Sequence, residues 1–314
     1  MTLPRIELLL ALLGAAALIL AAMATPWLKF VLTIALAKGI AVLGIMLLLR
    51  AGQVSFGHAL YVALGAYTVA FLAPMLPDAA LLLPAAALAT TAAGAIVGLF
   101  VARYREIFFG MLNLALSMVF YSMLEKFYHY TKGTDGIRVP PLTVAGLQLD
   151  RVTHEWTVFG TALALAFGFG IFARIYLASP MGQALAAIKT RETRLDFMGV
   201  SSRNVLLAAY ILSAMMAGCA GALIAMTSRH VTPLLSYWTA SGELVFIAIL
   251  GGAGGVLGPF LGAVTYELVR VYAAATVADM WQMILGTVLL LVILFARGGI
   301  WGLVSVRLQR RRAA

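Results

Sequence analysis

Long, almost uncharged apolar runs dominate this chain and restrict what it can fold into. They lie near residues 6–24, 28–49, 55–73, 81–101, 107–124, 156–177 and 204–226, followed by a composite region 234–274 and a last run 281–296. A run of about 20 apolar residues can cross a bilayer as a helix, and continuous runs argue against the alternating segments of a β-barrel. The sequence therefore predicts an all-α, polytopic helical membrane bundle with about 8–10 transmembrane helices, in one domain over residues 1–314.

Composition narrows the class of protein further. Of the 314 residues, 63% are hydrophobic and 11% are charged, whereas a soluble domain is about 45–50% apolar and about 25% charged. That difference excludes a soluble enzyme, a disordered chain and a nucleic-acid-binding module. The one cysteine, Cys219, excludes a disulfide framework and a cysteine-based metal cluster. The first partner that the sequence predicts is therefore the lipid bilayer.

The basic residues predict the orientation in the membrane. The chain has a formal net charge of +10, and Lys and Arg concentrate in short cytoplasmic connections. A cytoplasmic N-terminus places the connections at Arg50 and Arg103, the loop 178–203 and the Arg-rich C-terminal tail inside. We therefore expect a multi-pass protein of a bacterial inner (cell) membrane with both termini in the cytoplasm.

Two apolar runs have alternative interpretations. The first contains Ala22-Met23-Ala24, which resembles a signal-peptide cleavage site, but it is as long as a full span and we expect it to be retained. Region 234–274 holds either two crossings or one broken crossing with a re-entrant final segment. We favour two crossings, at a hinge or point of close packing formed by Gly251, Gly252, Gly254 and Gly255.

The cytoplasmic loop 178–203 has the pattern of an amphipathic helix. Ser179 is a candidate N-cap before Pro180, and Gly199 can end the segment in a left-handed conformation. One face is apolar, and the other carries both signs of charge; the residues on which we expect coupling to a partner to depend are Met181, Leu185, Ile188, Arg191, Glu192, Arg194 and Gly199. Lipid-facing helices are more uniformly basic, so the mixed charges favour docking into a cytoplasmic protein over resting on headgroups.

The outer loop 125–155 is too short for a separate domain and contains Gly133-Thr134-Asp135-Gly136-Ile137. It is either a docking surface or gate at the outer mouth, or a plain solvated connector.

Charged residues at membrane depth are few. Lys38 lies near the middle of the second run, and Glu243 begins an apolar stretch. Glu267 and Arg270 are three residues apart, which suits an ion pair near the outer interface. No phosphate-binding loop or metal-binding helix motif occurs in the sequence. We therefore expect no cofactor and no metal on this chain, and any ATP and Mg²⁺ must be bound by partner subunits.

Four ordered segments together resemble the permease subunits of branched-chain amino acid ABC transporters, in particular the type that pairs with a second homologous permease. They are Gly52-Gln53-Val54-Ser55-Phe56-Gly57-His58-Ala59 with Gly65-Ala66-Tyr67, Gly133-Thr134-Asp135-Gly136-Ile137, Ser179-Pro180-Met181-Gly182-Gln183-Ala184, and Leu250-Gly251-Gly252-Ala253-Gly254-Gly255-Val256-Leu257-Gly258-Pro259. Each motif alone is weak, but the ordered set covers most of the chain.

The resemblance implies an importer subunit without its own catalytic centre. A periplasmic solute-binding protein would deliver the solute, two cytoplasmic ATPase subunits would drive its passage, and a second homologous permease would complete a heterodimer. Glu192 falls at the family's acidic position in the coupling loop, although Thr193, Arg194 and Leu195 depart from its usual small apolar pattern. Family members also move urea, short amides and aromatic or dicarboxylic acids, so the resemblance does not fix the solute.

Candidate residues of the substrate pathway are Ser55, His58, Tyr61, Asn113, Ser117 and Glu243. The segment from Gly52 to Tyr67 is polar for a membrane helix, and a break there is tolerable only against protein or water. These polar residues either border the solute pathway or form structural hydrogen bonds between helices, and we weight the two interpretations equally. We expect a path lined mainly by apolar and small residues, with no strong ion-pairing pocket.

Two other functions compete with an ATP-driven permease. A stand-alone secondary transporter would use Glu243 and Lys38 for ion coupling, and a membrane-embedded enzyme would use Ser55 and His58 as a catalytic pair. Co-purification of ATPase subunits distinguishes the first interpretation from both.

Overall fold

The structure is a computed structural model that describes residues 3–144, 146–276, 280–296, 298–303 and 305. Its helices are α1 (Leu3–Ala24), α2 (Pro26–Arg50), α3 (His58–Leu72), α4 (Ala79–Val101), α5 (Glu106–Lys126), α6 (Tyr128–Thr131), α7 (Arg151–Ala178), α8 (Pro180–Arg191), α9 (Thr193–Phe197), α10 (Ser202–Ser228), α11 (Trp238–Gly251), α12 (Gly258–Thr276) and α13 (Trp281–Phe295). The predicted all-α polytopic bundle is confirmed. The Arg-rich C-terminal tail, on which the predicted orientation partly depends, lies outside the residues that the structure describes, as do Arg297 and the side chains of Arg5 and Asp196.

Among the residues that the structure describes, six helices are long and apolar enough to cross a membrane, namely α1, α2, α4, α5, α7 and α10. The described loops contain short elements of secondary structure. These are the 3₁₀ helices Gly133–Asp135 and Pro233–Ser236 and the strands β1 (Ile137–Arg138), β2 (Thr143–Val144), β3 (Leu147–Gln148) and β4 (His230–Val231). Strand β1 pairs antiparallel with β4, and β2 with β3. We call the side that carries β1 and β4 the outer side and the side that carries α8 the inner side, following the predicted orientation.

Helices α3 and α11 are half-helices rather than full spans. They contain 15 and 14 residues, or about 22 Å at a rise of 1.5 Å per residue, which is short of the roughly 30 Å hydrocarbon core. The predicted run 55–73 is therefore wrong at its start, because 51–57 is not helical. The composite region 234–274 contains two helices, but α11 is a half-helix, so the two full crossings that we favoured stay a prediction. The first four residues of this region, 234–237, belong to the segment that precedes α11.

The chain contains an internal repeat in opposite orientations. A long helix, an irregular segment and a half-helix occur as α2, 51–57 and α3, and again as α10, 229–237 and α11. The packing repeats as well, since α2 packs on α12 as α10 packs on α4, and α3 packs on α4 as α11 packs on α12. Helices α2 and α10 cross at the centre and are buried along most of their length, whereas α1 is almost fully exposed.

Glycines allow the central helices to approach closely. A Cβ at Gly65 would overlap the backbone of Gly218, and one at Gly221 would overlap the backbone of Val62, so α3 and α10 touch main chain to main chain. Small residues serve this purpose in membrane bundles, where the hydrophobic effect does not drive helices together. The crossing brings the start of α3 to the middle of α10.

Candidate functional site

A neutral hydrogen-bonded network surrounds the start of α3. Ser55 Oγ lies 2.8 Å from His58 Nδ1, and His58 Nε2 lies 3.0 Å from Ser213 Oγ at the middle of α10. Tyr61 Oη donates to Tyr210 Oη at 2.9 Å, and Tyr210 Oη donates to Asn113 Oδ1 at 2.5 Å. These six side chains, which we call the sealed network, are all fully buried.

The sealed network joins four of the six predicted pathway residues, namely Ser55, His58, Tyr61 and Asn113. Ser117 lies one turn beyond Asn113 on α5, and its hydroxyl donates to the carbonyl of Ser236 at 2.8 Å. Each of these polar groups has a partner within the chain and none lines the cavity described below. This geometry agrees with the structural interpretation, and their pathway role stays a prediction.

Charged side chains converge at mid-depth on the other side of α2. Lys38, the central residue of α2, forms ion pairs with Glu243 of α11 and with Glu267 of α12. Arg270 Nη1 lies 3.3 Å from Glu267 Oε2. We call these four residues the charged cluster.

The charged cluster corrects three expectations. Glu267 and Arg270 are not a separate pair near the outer interface, because Lys38 joins them at mid-depth. Glu243 is not the isolated carboxylate that a proton-coupled carrier uses, since Lys38 neutralises it. The expectation that the chain has no ion-pairing pocket does not fit the structure, because a cavity contacts all four charges.

That cavity has a volume of about 810 Å³ and lies between α2, α3, α10, α11, α12 and α13. It extends from Thr232 and Leu234, next to β4, to Leu250 at the inner end of α11. Away from the charged cluster its wall is predominantly apolar; examples are Ile34, Leu235, Phe246, Val271 and Leu289. A concave apolar chamber with a few convergent polar groups is the usual form of a small-molecule site.

The glycines of the predicted hinge are points of close packing in the structure. Gly252 has a φ of +86° and ends α11, and a Cβ at Gly251 would overlap the backbone of Gly258. Gly254 and Gly255 lie against the ring of Trp301. The segment closes a tight hairpin between α11 and α12.

The inner loop is helical and capped at the predicted positions, but it forms two helices, α8 and α9, rather than one, and its apolar face is buried against the bundle. Ser179 Oγ accepts a hydrogen bond from the Gly182 N–H at 3.4 Å and caps α8, and Gly199 has a φ of +74°. However, Leu185 and Ile188 are buried against the bundle itself, so the expectation that this apolar face docks into a partner is wrong. A hydrophobic period identifies a buried face but does not say which body buries it.

Glu192 is also engaged inside the chain. Its carboxylate accepts from Arg105 Nη2 at 2.7 Å and from Arg105 Nε at 3.0 Å, which ties the end of α8 to the connection before α5. Burial alone would raise the pKa of Glu192, but hydrogen bonds from Arg105 and Ser202 outweigh it and lower this pKa. Glu192 is therefore an internal tie rather than an exposed docking residue.

The exposed surface of the inner loop contains residues that the sequence reasoning missed. Phe197 is 92% exposed and Met198 75% exposed. Met181, Arg191 and Arg194, all predicted coupling residues, are exposed as well. Two adjacent apolar residues directly before a left-handed glycine were a signal of this surface, because they lie outside the apolar face that Leu185 and Ile188 form.

The outer loop is tied to the second repeat. Strand β1 pairs with β4, and the Val139 N–H donates to the Arg229 carbonyl at 3.0 Å. A concave outer surface of about 880 Å³ includes Arg138, Arg229 and His230 beside Asp135. The loop is therefore part of the folded body rather than a loose connector.

The fold and the cavity define a polytopic helical membrane protein with a ligand-sized chamber at mid-depth. Residues 27–294 match the family described as the permease component of branched-chain amino acid transport systems. The chain therefore belongs to this family.

Named relatives agree with that assignment. The chain is 28% identical over 246 residues to the high-affinity branched-chain amino acid transport system permease protein LivM of Escherichia coli, covering 70% of this chain and 58% of that protein. LivM of Salmonella typhimurium is 28% identical over 242 residues, covering 70% of this chain and 57% of that protein. BraD of Pseudomonas aeruginosa is 25% identical over 146 residues, covering 46% of each. The chain thus matches little more than half the length of the two LivM proteins, and no solved structure matches it.

Proposed function

We propose that this chain is the transmembrane permease subunit of an ATP-driven ABC importer for branched-chain or related hydrophobic amino acids. The observation that carries the proposal is the chamber of about 810 Å³ at mid-depth, lined by apolar side chains and by both copies of the repeat, in a chain of a permease family. Cavities between opposed repeats with broken helices are where transporters hold their solutes. The names of the LivM relatives support branched-chain amino acids as the solute class.

The proposal includes partners on both sides of the membrane. Two ATPase subunits would bind the inner surface formed by Phe197, Met198 and the exposed basic residues of α8 and α9, with both termini of this chain in the cytoplasm. A periplasmic solute-binding protein would dock on the outer surface around Arg138 and Arg229, where acidic side chains would find partners. A second homologous permease would complete the membrane part, and ATP and Mg²⁺ would bind to the ATPases.

Reconstituted uptake tests this function. The tagged chain, purified with its ATPase and permease partners, is placed in liposomes with the binding protein and radiolabelled leucine, isoleucine or valine. We expect uptake that requires ATP and the binding protein. Uptake that ignores ATP and follows an imposed proton gradient would contradict the proposal.

The ATPase surface is tested by Phe197→Asp, which places a charge in the expected contact. The matched control is Leu147→Asp, since Leu147 is also an exposed apolar residue but lies in the outer loop. We expect Phe197→Asp to lose the ATPases on purification and the control to keep them. Equal retention by both variants would rule out this surface.

One observation favours a second candidate function. Ionisable residues at membrane depth are characteristic of ion-coupled transporters, and the charged cluster places four such residues there, in ion pairs rather than as an isolated carboxylate. The proton-gradient arm of the uptake experiment tests this candidate directly.

A further inference from the structure

We propose that the charged cluster binds the zwitterionic head of an α-amino acid, with the amino-acid side chain in the apolar part of the cavity. This inference rests on the function proposed above, since it locates where the permease itself holds the solute. It assigns Arg270 to the solute carboxylate and Glu243 to the solute ammonium group.

Access to the cavity separates the four charged residues into two kinds. The side chains of Glu267 and Lys38 are only 3% and 12% exposed, so little of either charged group is accessible to a solute. Glu243 pairs with Lys38 and Arg270 pairs with Glu267, but both keep a larger exposed fraction. Glu243 is 24% exposed and Arg270 is 43% exposed. A carboxylate and a guanidinium therefore present accessible edges to the same chamber.

The chemistry of these two groups is complementary to an amino acid head. A guanidinium is a planar fork of donors that binds a carboxylate through two parallel hydrogen bonds. A carboxylate accepts hydrogen bonds from an ammonium group. Because α12 carries Arg270 and α11 carries Glu243 on the wall of one cavity, the two ends of a single small zwitterion can be held together.

The charge balance of the cluster selects against other solutes. Lys38 and Arg270 balance Glu243 and Glu267, so the cluster is neutral as a whole. An uncompensated charge at this depth is strongly unfavourable. A zwitterion leaves the balance at zero, whereas an amine, a monocarboxylate or a dicarboxylate does not.

The rest of the chamber fits an aliphatic side chain. Leu234, Leu235, Phe246 and Leu250 form an apolar wall that runs towards both membrane faces from the charged cluster. A branched aliphatic group gains stability there by leaving water. A sugar or urea would leave this wall unused and would supply no ion pairs to the cluster.

Direct binding to the permease tests the inference. The permease with its ATPases is placed in nanodiscs without the binding protein, and ligand binding is titrated by saturation-transfer difference NMR. The probes are L-leucine, L-leucinol, which lacks the carboxylate, and 4-methylpentanoate, which lacks the ammonium group. On the unchanged protein we expect each analogue to bind about 10- to 100-fold more weakly than leucine, as follows from losing hydrogen bonds between charged groups.

A neutral double variant separates binding from structure. Arg270→Gln with Glu267→Gln removes the carboxylate-binding group while keeping the cluster neutral, and we expect leucine to bind it no better than leucinol. The matched control is Arg174→Gln with Glu7→Gln, which removes a similar ion pair, 2.9 Å long, that lies outside the cavity. The control should bind leucine as the unchanged protein does.

Two results would overturn the inference: leucinol and 4-methylpentanoate binding as tightly as leucine, or unchanged leucine binding by the double variant. The analogue comparison uses the unchanged protein and so stands even if the double variant does not fold. Failure of the inference is distinct from failure of the proposed function, because ATP-dependent uptake of leucine that shows no dependence on the cluster contradicts only the former. Absence of ATP-dependent uptake contradicts the latter.

Discussion

The sealed network and the charged cluster are two polar regions at the same depth of one bundle, and they differ in charge and in access. In the sealed network, neutral side chains of α3, α5 and α10 satisfy one another and are fully buried. In the charged cluster, ionised side chains of α2, α11 and α12 line a cavity. Neutral groups can be closed off from water once they are hydrogen-bonded, whereas accessible charges next to a cavity are available to a ligand. Each region draws on both copies of the repeat, with α3 and α10 in the sealed network and α2 and α11 in the charged cluster, so the difference between the regions lies in charge and access rather than in which copy supplies them.

The largest effect that separates the two regions comes from adding volume. Gly65→Val places a side chain into the backbone of Gly218. Overpacking usually destabilises a protein by about 1–3 kcal/mol. We expect a larger effect here, with loss of most folded protein, because the backbone of α10 cannot move aside as a side chain can. Gly286→Val is the counterpart, since Gly286 lines the cavity and has no atom within 4 Å of an added Cβ. Size-exclusion profiles in detergent measure both variants. Equal yields of the two folded variants would show that α3 and α10 are not tightly packed next to the sealed network.

Breaking the charged cluster should have the next largest effect. Lys38→Met leaves Glu243 and Glu267 without their shared cation, and removing one partner of a buried ion pair destabilises a protein by about 3–5 kcal/mol. Adding Glu267→Gln restores neutrality with Arg270 and should recover most of the thermal stability. Melting temperatures of the single and double variants provide the measurement. No recovery in the double variant would mean that Lys38 acts through packing rather than charge.

Breaking the sealed network should have a moderate effect on stability. Tyr210→Phe leaves the Tyr61 hydroxyl and Asn113 Oδ1 without partners, and each unsatisfied buried group costs about 1–3 kcal/mol. Tyr272→Phe is the control, because Tyr272 is exposed. We expect a lower melting temperature for the first variant only, and unchanged leucine binding for both. Loss of leucine binding without loss of stability in Tyr210→Phe would instead place the network in the pathway.

The smallest effect concerns the ion pair between Glu192 and Arg105 on the inner side, and it depends on pH. Because the pKa of Glu192 is lowered in the folded chain, its pair with Arg105 contributes stability above the unfolded-state pKa of about 4.3 and loses that contribution as pH falls through the folded-state value. The contribution is about 1 kcal/mol or less, since the carboxylate is partly exposed. Comparing unfolding of the unchanged chain with that of Glu192→Gln between neutral pH and the acid range should show that the two converge at low pH. A constant difference across the whole range would contradict this assignment.

Sequence patterns predicted the apolar spans and the capped inner helix, because these depend on local composition and periodicity. They did not predict the half-helices, since the apolar run around Val54 continues through the irregular segment and hydropathy does not register backbone conformation. The glycines that flank Ser55 were the one local signal of the break. Lys38, Glu243 and Glu267 were each visible in the sequence, but their meeting depends on how α2, α11 and α12 pack, which no local pattern encodes.

The direction of the inner helix shows a second limit of sequence reasoning. The spacing of Leu185 and Ile188 identified a buried face correctly, but burial against the same chain and burial against a partner have the same periodicity. Phe197 and Met198 do not belong to that periodic pattern, so the sequence did not predict them as part of the exposed surface. These two exposed apolar residues, rather than the buried face of the helix, are the basis of the proposed ATPase contact.

The half-helices have a consequence for the electrical insulation of the membrane. Both begin at mid-depth and meet there, since the Ala59 N–H at the start of α3 donates to Ser241 Oγ in α11 at 3.1 Å. The N-terminal end of a helix carries the equivalent of about half a positive elementary charge, so two such ends point into the middle of the bundle. Inward-facing positive ends repel protons and metal cations in some membrane pores. A channel opened beside them would admit a solute without net charge while opposing the leak of cations that would discharge the membrane potential.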